Sequence, residues 1–409
     1  RLFFLILNLK MSFKRGNLEK QVTKTPKEVK WCTKCCYSNQ KPKIIFNDEG
    51  VCSGCVNTIY KNQIDWDERE KELVKLLNKH RRKDGYWDVI VPSSGGKDSA
   101  IVAHKLKHDY GMNPLTVTWA PLKYTDIGWE NLQAHNDSGF TNLLCTPNGQ
   151  FQRKLARLSF EELGDAFHVF VLGQYSYPFQ LGVKLQIPLI FYGENGDAEY
   201  AADPVYGDKC VKPCSDILDK FFKGCKFDEL LEYGLKNKDY LSKSDYSESD
   251  LIFYKMPSQE ELDKAKIEGA HWWSYYQKWI PQENYYYATQ HTGFKANPER
   301  SEGTYSKYAS LDDKMDGFHY YLRYIKFGLG RCVEDASHEI RDGHITREEG
   351  LALVNRYEGE FPKKYFKEFL TYLDISEEHF WNVIDSWRAE HLWEKINGKW
   401  ELKHKLKSN

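Results

Sequence analysis

The stretch Ser94-Gly95-Gly96-Lys97-Asp98-Ser99 constrains the fold of this chain more than any other feature. Before it, Trp87–Pro92 (WDVIVP) is a short apolar, β-branched run that predicts a buried strand. After it, a helical pattern runs from about Ser99 to Tyr110, and Leu115–Trp119 (LTVTW) predicts a second strand. Two strands joined through a helix are expected to be parallel, because a parallel pair needs a crossover of about a dozen residues or more. His168–Leu172 (HVFVL) and Ile187–Tyr192 (IPLIFY), each followed by glycine, are expected to add further parallel strands. The expected fold class is therefore α/β with a parallel sheet at its centre.

The hexapeptide also carries chemistry. Gly95 and Gly96 let the backbone turn tightly and approach an anion, so that turn N–H groups and the positive end of the helix cradle a phosphate. Ser94 and Ser99 supply hydroxyl donors, Lys97 a compact cation, and Asp98 a carboxylate able to hold Mg²⁺ directly or through water. The spacing is not that of a Walker A loop. Gly193-Glu194-Asn195 follows the last expected core strand, where the open edge of an α/β sheet usually holds its ligand. Glu194 is a candidate general base or Mg²⁺ ligand and Asn195 a candidate to orient phosphate or substrate, although Asn and Gly also suit a plain turn.

Five of the ten cysteines lie between Cys32 and Cys55. Cys32-x-x-Cys35 and Cys52-x-x-Cys55, separated by sixteen residues, have the spacing of two knuckles that bring four thiolates onto a structural Zn²⁺. Lys34 and nearby backbone amides are candidates to offset the charge of such a centre. Cys36 reads as a bystander. Cys210, Cys214 and Cys225 lack a clear fourth ligand and read as small buried residues.

The 409 residues carry a formal charge of −1, which argues against a protein whose main work is to hold nucleic acid. No apolar run is long enough to span a bilayer, and the chain reads as cytoplasmic. Arg1–Lys10 (RLFFLILNLK) reads as a leader upstream of Met11 that is excluded from the fold. From Lys10 to Ile45 ten Lys/Arg face only Glu19 and Glu28, an arm that is either a solvated extension or an anchor for an acidic partner or anionic lipid. Asp65–Asp84 predicts a helix with acids in its first turn and Leu73, Leu76 and Leu77 on one face. After about Ala202 no clear strand pattern is visible. His271–Tyr287 concentrates eight Trp and Tyr residues, as stacking surfaces or packing aromatics. Thr346 and Glu349 form a capping box, and Phe366, Phe369, Leu370 and Leu373 repeat at helical spacing. Arg331, Arg341 and Arg347 are candidates to clamp a diphosphate or to form helix-surface ion pairs.

The hexapeptide resembles the PP-loop of the N-type ATP pyrophosphatases, which cleave ATP between its α and β phosphates. Together with CTKC, FNDEGVCSGC, WENLQAHNDSGFTNL, PLIFYGEN, YLRYIKFGLGR and ASHEIRDGHITREEG, it resembles the N-acetyl sugar amidotransferases of surface-polysaccharide synthesis, the WbpG and PseA type. The resemblance implies a PP-loop core at 85–205 with a basic arm and zinc ribbon at 11–61 and a linker helix at 62–84. It also implies an aromatic-rich substrate or partner lobe at 206–330 and a helical region at 331–409. It implies ATP, Mg²⁺ and Zn²⁺ as cofactors, and pyrophosphate bound by Ser94, Gly95, Gly96, Lys97, Asp98 and Ser99. Lys97, Asp98, Glu194 and Asn195 would be catalytic, and Cys32, Cys35, Cys52 and Cys55 would hold zinc. The implied reaction converts a sugar acetamido group to an acetamidino group, in O-antigen or related glycan synthesis, on an acceptor expected to be nucleotide-linked. Ammonia would come from partner glutaminase and cyclase-like subunits. The competing expectation is a tRNA 2-thiolation enzyme of the same loop class. Against it stand the balanced charge and the lack of any cysteine after Cys332.

Overall fold

The computed structural model describes residues 13–201, 208–220, 225–237, 239–309 and 311–406; the Arg1–Lys10 leader lies outside them. Helix α1 (Ser53–Lys61) starts directly after Cys52 and contains Cys55. Helix α2 (Trp66–His80) is capped by Asp65, whose carboxylate accepts from the Asp67 and Glu68 amides, and buries Leu73 and Leu77. It stops short of the expected Asp84 because Arg81 leaves the helix and donates to the carbonyls of Tyr110 and Gly111.

The anticipated strand-turn-helix-strand unit is present. Strand β1 (Val89–Pro92), helix α3 (Lys97–His108) and strand β2 (Pro114–Trp119) follow one another, and β1 pairs parallel with β2 from Val89↔Pro114 to Pro92↔Val117. Helix α4 (Asp126–Asp137), capped by Thr125, leads to strand β3 (Asn142–Cys145), parallel to β2 in the register Thr116↔Asn142. Strand β3 has no counterpart among the expected strands. It is a half-buried edge strand, so its sequence never forms a continuous apolar run.

One expected strand is a helix. His168–Leu172 opens α6 (His168–Leu185), which packs beside α5 (Gly149–Leu163) and over β2. A short apolar run cannot be told from a buried helix by period alone; here the apolar character continues for 18 residues and buries the helix on several sides. Gly173 lies against the Trp119 indole, which leaves no room there for a Cβ. The run Ile187–Tyr192 pairs only at its end. Pro188 lacks an amide donor, and strand β4 is Phe191–Tyr192, joined to β1 through Ile90↔Ile190.

After β4 come α7 (Gly196–Glu199), β5 (Val211–Lys212), α8 (Cys214–Lys220), α9 (Phe227–Lys236), α10 (Glu248–Leu251) and α11 (Gln259–Ala265). Strand β6 (Ala270–Trp272) then pairs parallel with β4 and antiparallel with β5. The sheet order is thus β3-β2-β1-β4-β6-β5, and a region without a visible strand pattern contributes its last two strands.

Helices α12 (Trp273–Tyr276), α13 (Pro281–His291), α14 (Asp316–Phe327), α15 (Arg331–Arg341), α16 (Arg347–Tyr357), α17 (Phe366–Leu373) and α18 (Glu377–Ser386) complete the helical part. Thr346 and Glu349 make the anticipated capping box of α16, and Phe369 on α17 stacks on Phe318 at 4.0 Å. A hairpin of β7 (Trp393–Ile396) and β8 (Lys399–Leu402) ends the described chain. Its two-residue turn is Asn397-Gly398, both at positive φ, as a tight hairpin turn requires. The basic arm is packed down: Leu18 is buried, Glu19 and Lys326 form a buried ion pair at 3.2 Å, and Arg15 lies over the Trp387 ring. Lys14, Lys20, Lys24, Lys27, Lys30, Lys34 and Lys43 stay exposed. Among the described residues, no helix is long and apolar enough to cross a membrane.

Candidate functional site

The turn after β1 and the turn after β4 lie at the same edge of the sheet, because those strands are neighbours. They form two walls of a cleft of about 240 Å³, lined by Ser93, Ser94, Gly96, Asp98 and Ser99 on one side and Gly193 and Glu194 on the other. Trp119, Tyr175, Tyr192 and Trp272 add flat aromatic surface to the same space.

The first turn is built for close approach. Gly95 sits at φ +80°, and a Cβ there would lie 2.6 Å from the Leu132 backbone, so both conformation and space demand glycine. Gly96 caps α3 in an extended conformation without a side-chain cap, leaving the first amides of α3 open to an anion. Ser93, one residue upstream of the hexapeptide, holds the turn together: its hydroxyl accepts from the Gly95 amide at 3.2 Å and meets Ser99 Oγ at 3.0 Å. Lys97 pairs with Asp98 and stands 5.4 Å from the Tyr308 ring centroid. Asn284 on α13 donates to Asp98 Oδ1 at 3.2 Å. The only sequence signal for Ser93 is its place beside the motif. Asn284 and Tyr308 carry none, because only packing of α13 on α3 brings that region to the turn.

On the opposite wall, Glu194 accepts from the Tyr200 hydroxyl at 3.3 Å. Burial and then the nearby Asp98 carboxylate raise its pKa to about 7. That places a carboxyl with a raised pKa across the cleft from the Ser94–Ser99 turn. Asn195 is placed differently. It is 2% exposed, its amide donates to Ser274 Oγ at 2.8 Å, and its side chain caps α7 by accepting from the Asp197 amide. The three arginines separate: Arg331 pairs with Asp335 at 2.9 Å, Arg341 donates to the Glu199 carbonyl at 2.7 Å, and Arg347 reaches the Cys32 carbonyl at 3.4 Å. They do not form one clamp.

The sulfurs of Cys32, Cys35, Cys52 and Cys55 all lie within 4.8 Å of one another and are buried. The Cys35–Cys52 and Cys32–Cys55 separations are 3.6 and 3.9 Å. Four thiolates at ~2.3 Å around a tetrahedral ion stand about 3.8 Å apart, so the set fits a zinc-like metal. Backbone amides of Lys34 and Cys52 donate to Cys32 Sγ at 3.4 and 3.3 Å, while the Lys34 side chain is exposed. Among the described residues no other His, Cys, Asp or Glu group converges in this way. Cys36 stands outside the set, its amide bonded to Ser337 Oγ and its thiol pushed up to about 12 by burial.

The aromatic run divides. Trp272, Trp273, Tyr276 and Trp279 are buried in the core, while Tyr286 on α13 is exposed. Of these, Trp272 also reaches the cleft.

A stretch of 88 residues is 33% identical to an uncharacterized protein of Methanocaldococcus jannaschii, covering 21% of this chain and 31% of that protein. The chain thus spans about a third of that relative's length. Residues 302–407 match the family model described as LPS biosynthesis protein WbpG-like, C-terminal domain, so this end of the chain, which holds α14 to the β7–β8 hairpin, is similar to that domain.

Proposed function

We propose that the protein is an ATP-dependent, AMP-forming amidotransferase that converts a sugar acetamido group to an acetamidino group in LPS or related surface-glycan synthesis. The observation that carries this reading is the cleft between the Ser94–Ser99 turn and Glu194 at one edge of a parallel sheet, in a chain whose C-terminal part is WbpG-like. The flat rings of Trp119, Tyr175 and Tyr192 are suited to an adenine base, and the open amides of α3, Lys97 and the serine hydroxyls to the β and γ phosphates. Asp98 faces the same space with its side chain 33% exposed, a carboxylate fit to hold Mg²⁺. When bound, that ion would offset phosphate charge.

In the first step the acetamido oxygen attacks the α-phosphorus of ATP, the bond to the bridging oxygen breaks, and pyrophosphate leaves into the turn. Ammonia then attacks the imidate carbon, the carbon–oxygen bond breaks, and AMP leaves with its electron pair. Adenylation matters because an amide oxygen is a poor leaving group and AMP a good one. The ammonia loses a proton in this step, and a carboxylate such as Glu194, raised to about 7, would suit its uptake near neutral pH. Partner glutaminase and cyclase-like subunits would supply the ammonia.

Incubating the protein with ATP, Mg²⁺, NH₄⁺ and candidate acetamido sugars tests the reading. The expected products are AMP and pyrophosphate, dependent on the sugar. Formation of ADP, or AMP formation that needs tRNA and a sulfur donor, would overturn it. No cysteine lines the cleft among the described residues, which is a point against the thiolation chemistry.

A further inference from the structure

Helix α1 belongs to the four-cysteine ribbon, yet one of its faces packs against the turn that carries Glu194. Four of its residues, spaced at 53, 54, 57 and 61, lie on one face of the helix. Ser53 Oγ donates to the Ala201 carbonyl at 3.4 Å, and Asn57 Nδ2 to the Ala198 carbonyl at 3.3 Å. Gly54 lets the backbones close up, since a Cβ there would stand 2.7 Å from Ala201 Cβ. Lys61 sits at the end of this face with its side chain 10% exposed, and its ammonium donates to both Glu199 carboxylate oxygens at 2.9 Å and to the Trp279 carbonyl at 3.2 Å.

Those two partners bracket Glu194. Glu199 precedes Tyr200, whose hydroxyl is bonded to Glu194. The Trp279 ring lies against Gly193, where a Cβ would come within 2.7 Å of it. One ammonium therefore ties down both the residue before Tyr200 and the residue whose ring supports Gly193. With both side chains of the Lys61–Glu199 pair withdrawn from water, removing one partner costs more than breaking a surface ion pair of small value.

We propose that the four-cysteine ribbon is part of the frame of the active cleft, and that Lys61 is a positioning residue. Through Glu199–Tyr200 on one side and Trp279–Gly193 on the other, it holds the Glu194 carboxylate opposite the Ser94–Ser99 turn. Arg341 reinforces the same strut from the C-terminal region, by its bond to the Glu199 carbonyl and its stacking over Tyr37 of the ribbon at 5.7 Å. The inference rests on the reading of this cleft as the reaction site, but its structural part does not need that reading to be tested.

The test uses the full chain carrying Lys61→Met, Lys61→Arg or Tyr200→Phe. Lys61→Met is expected to lower kcat for AMP formation by about tenfold or more, the effect usual for removing an outer partner of a functional group, with the KM for ATP unchanged. Lys61→Arg should recover most of the loss, and zinc content should stay at the wild-type level in all three. Tyr200→Phe removes one hydroxyl without disturbing α1 and should give the same split, which settles the matter should Lys61→Met fold poorly. Hydrogen exchange supplies an arm free of turnover: in Lys61→Met the amides of 193–200 should exchange faster, with those of 94–99 unchanged. Wild-type kcat in both Lys61→Met and Tyr200→Phe, or unchanged exchange at 193–200, overturns the positioning role. A parallel loss of kcat, ATP affinity and zinc reduces Lys61 to general stability and also overturns it. A wild-type protein that forms no AMP sinks the proposed reaction alone, and the exchange result still decides the strut.

Discussion

The Ser94–Ser99 turn and the His271–Tyr287 run are both rich in groups that can bind ligands, and they end in different situations. The turn keeps its hydroxyls and charges at the rim of a cleft, whereas half of the eight Trp and Tyr rings of the aromatic run are buried, and of those four only Trp272 reaches the cleft. Backbone accounts for the difference. Gly95 at φ +80° and the start of α3, which has no side-chain cap, hold the turn at the cleft, while Ser93, Ser99, Lys97 and Asp98 also bond to one another or to Asn284. Aromatic rings carry no such obligation. They go wherever the most apolar area can be buried, here in one cluster with α2, α3 and β4. Residue types that can bind a ligand thus line a cleft only where the fold leaves them at its rim.

Four experiments put this contrast at risk. Trp273→Ala should cost about 3–5 kcal/mol of stability by opening a cavity, measured by denaturant unfolding, with the KM for ATP unchanged in whatever folded protein remains. A ring that served the ligand would instead raise that KM with little loss of stability. Asp98→Ala should do the reverse: turnover falls by about 10²–10³-fold, comparable to the loss of one transition-state electrostatic group, while the melting temperature holds. Normal AMP formation by that variant would remove the turn from the reaction.

The third experiment follows pH. Glu194 is raised by burial and by Asp98 from 4.5 to about 7, so between those values the folded chain holds a proton that the unfolded chain has lost. Stability should accordingly fall as pH rises through that window, and Glu194→Gln should flatten the fall in melting temperature. Activity should move the other way, log kcat rising with unit slope below about pH 7 and levelling above it, if the carboxylate takes the proton from ammonia. A flat profile would assign Glu194 to the frame and not to proton transfer. The smallest effect belongs to Tyr286→Ala. At 61% exposure this ring contributes little burial, and unfolding free energy should change by less than about 0.5 kcal/mol. A larger change in ATP or sugar binding would show that the exposed end of the aromatic run has a ligand after all.

Much of the site is legible in the amino-acid sequence. The glycine turn is a local object, fixed by residues within six positions of one another, and the four zinc-type cysteines announce themselves by spacing. What escapes is whatever depends on distant packing. Asn284 and Tyr308 reach the turn only because α13 lies along α3, and Ser93 knits the turn from just outside the motif. His168–Leu172 shows the limit of local pattern: a histidine and four apolar residues suit a strand or the opening of a buried helix equally well, and the choice falls to the layer that needs covering. The short strands β5 and β6 are equally illegible, since two or three residues carry no period and are defined by their neighbours.

The β1–turn–α3–β2 unit, the cysteine tetrad and the capped helices follow from the order of residues, because each is set by dihedral preference, spacing or a hydrogen bond within a few positions. Tertiary packing was needed to bring Glu194 opposite the turn, to spend Asn195 on capping α7, to send three arginines three ways, and to brace the opposite wall with Lys61 of the ribbon. Those outcomes depend on how buried charge is paired. A carboxylate or ammonium withdrawn from water must find a partner wherever packing places one, and that partner is often more than a hundred residues away, as Glu199 is from Lys61.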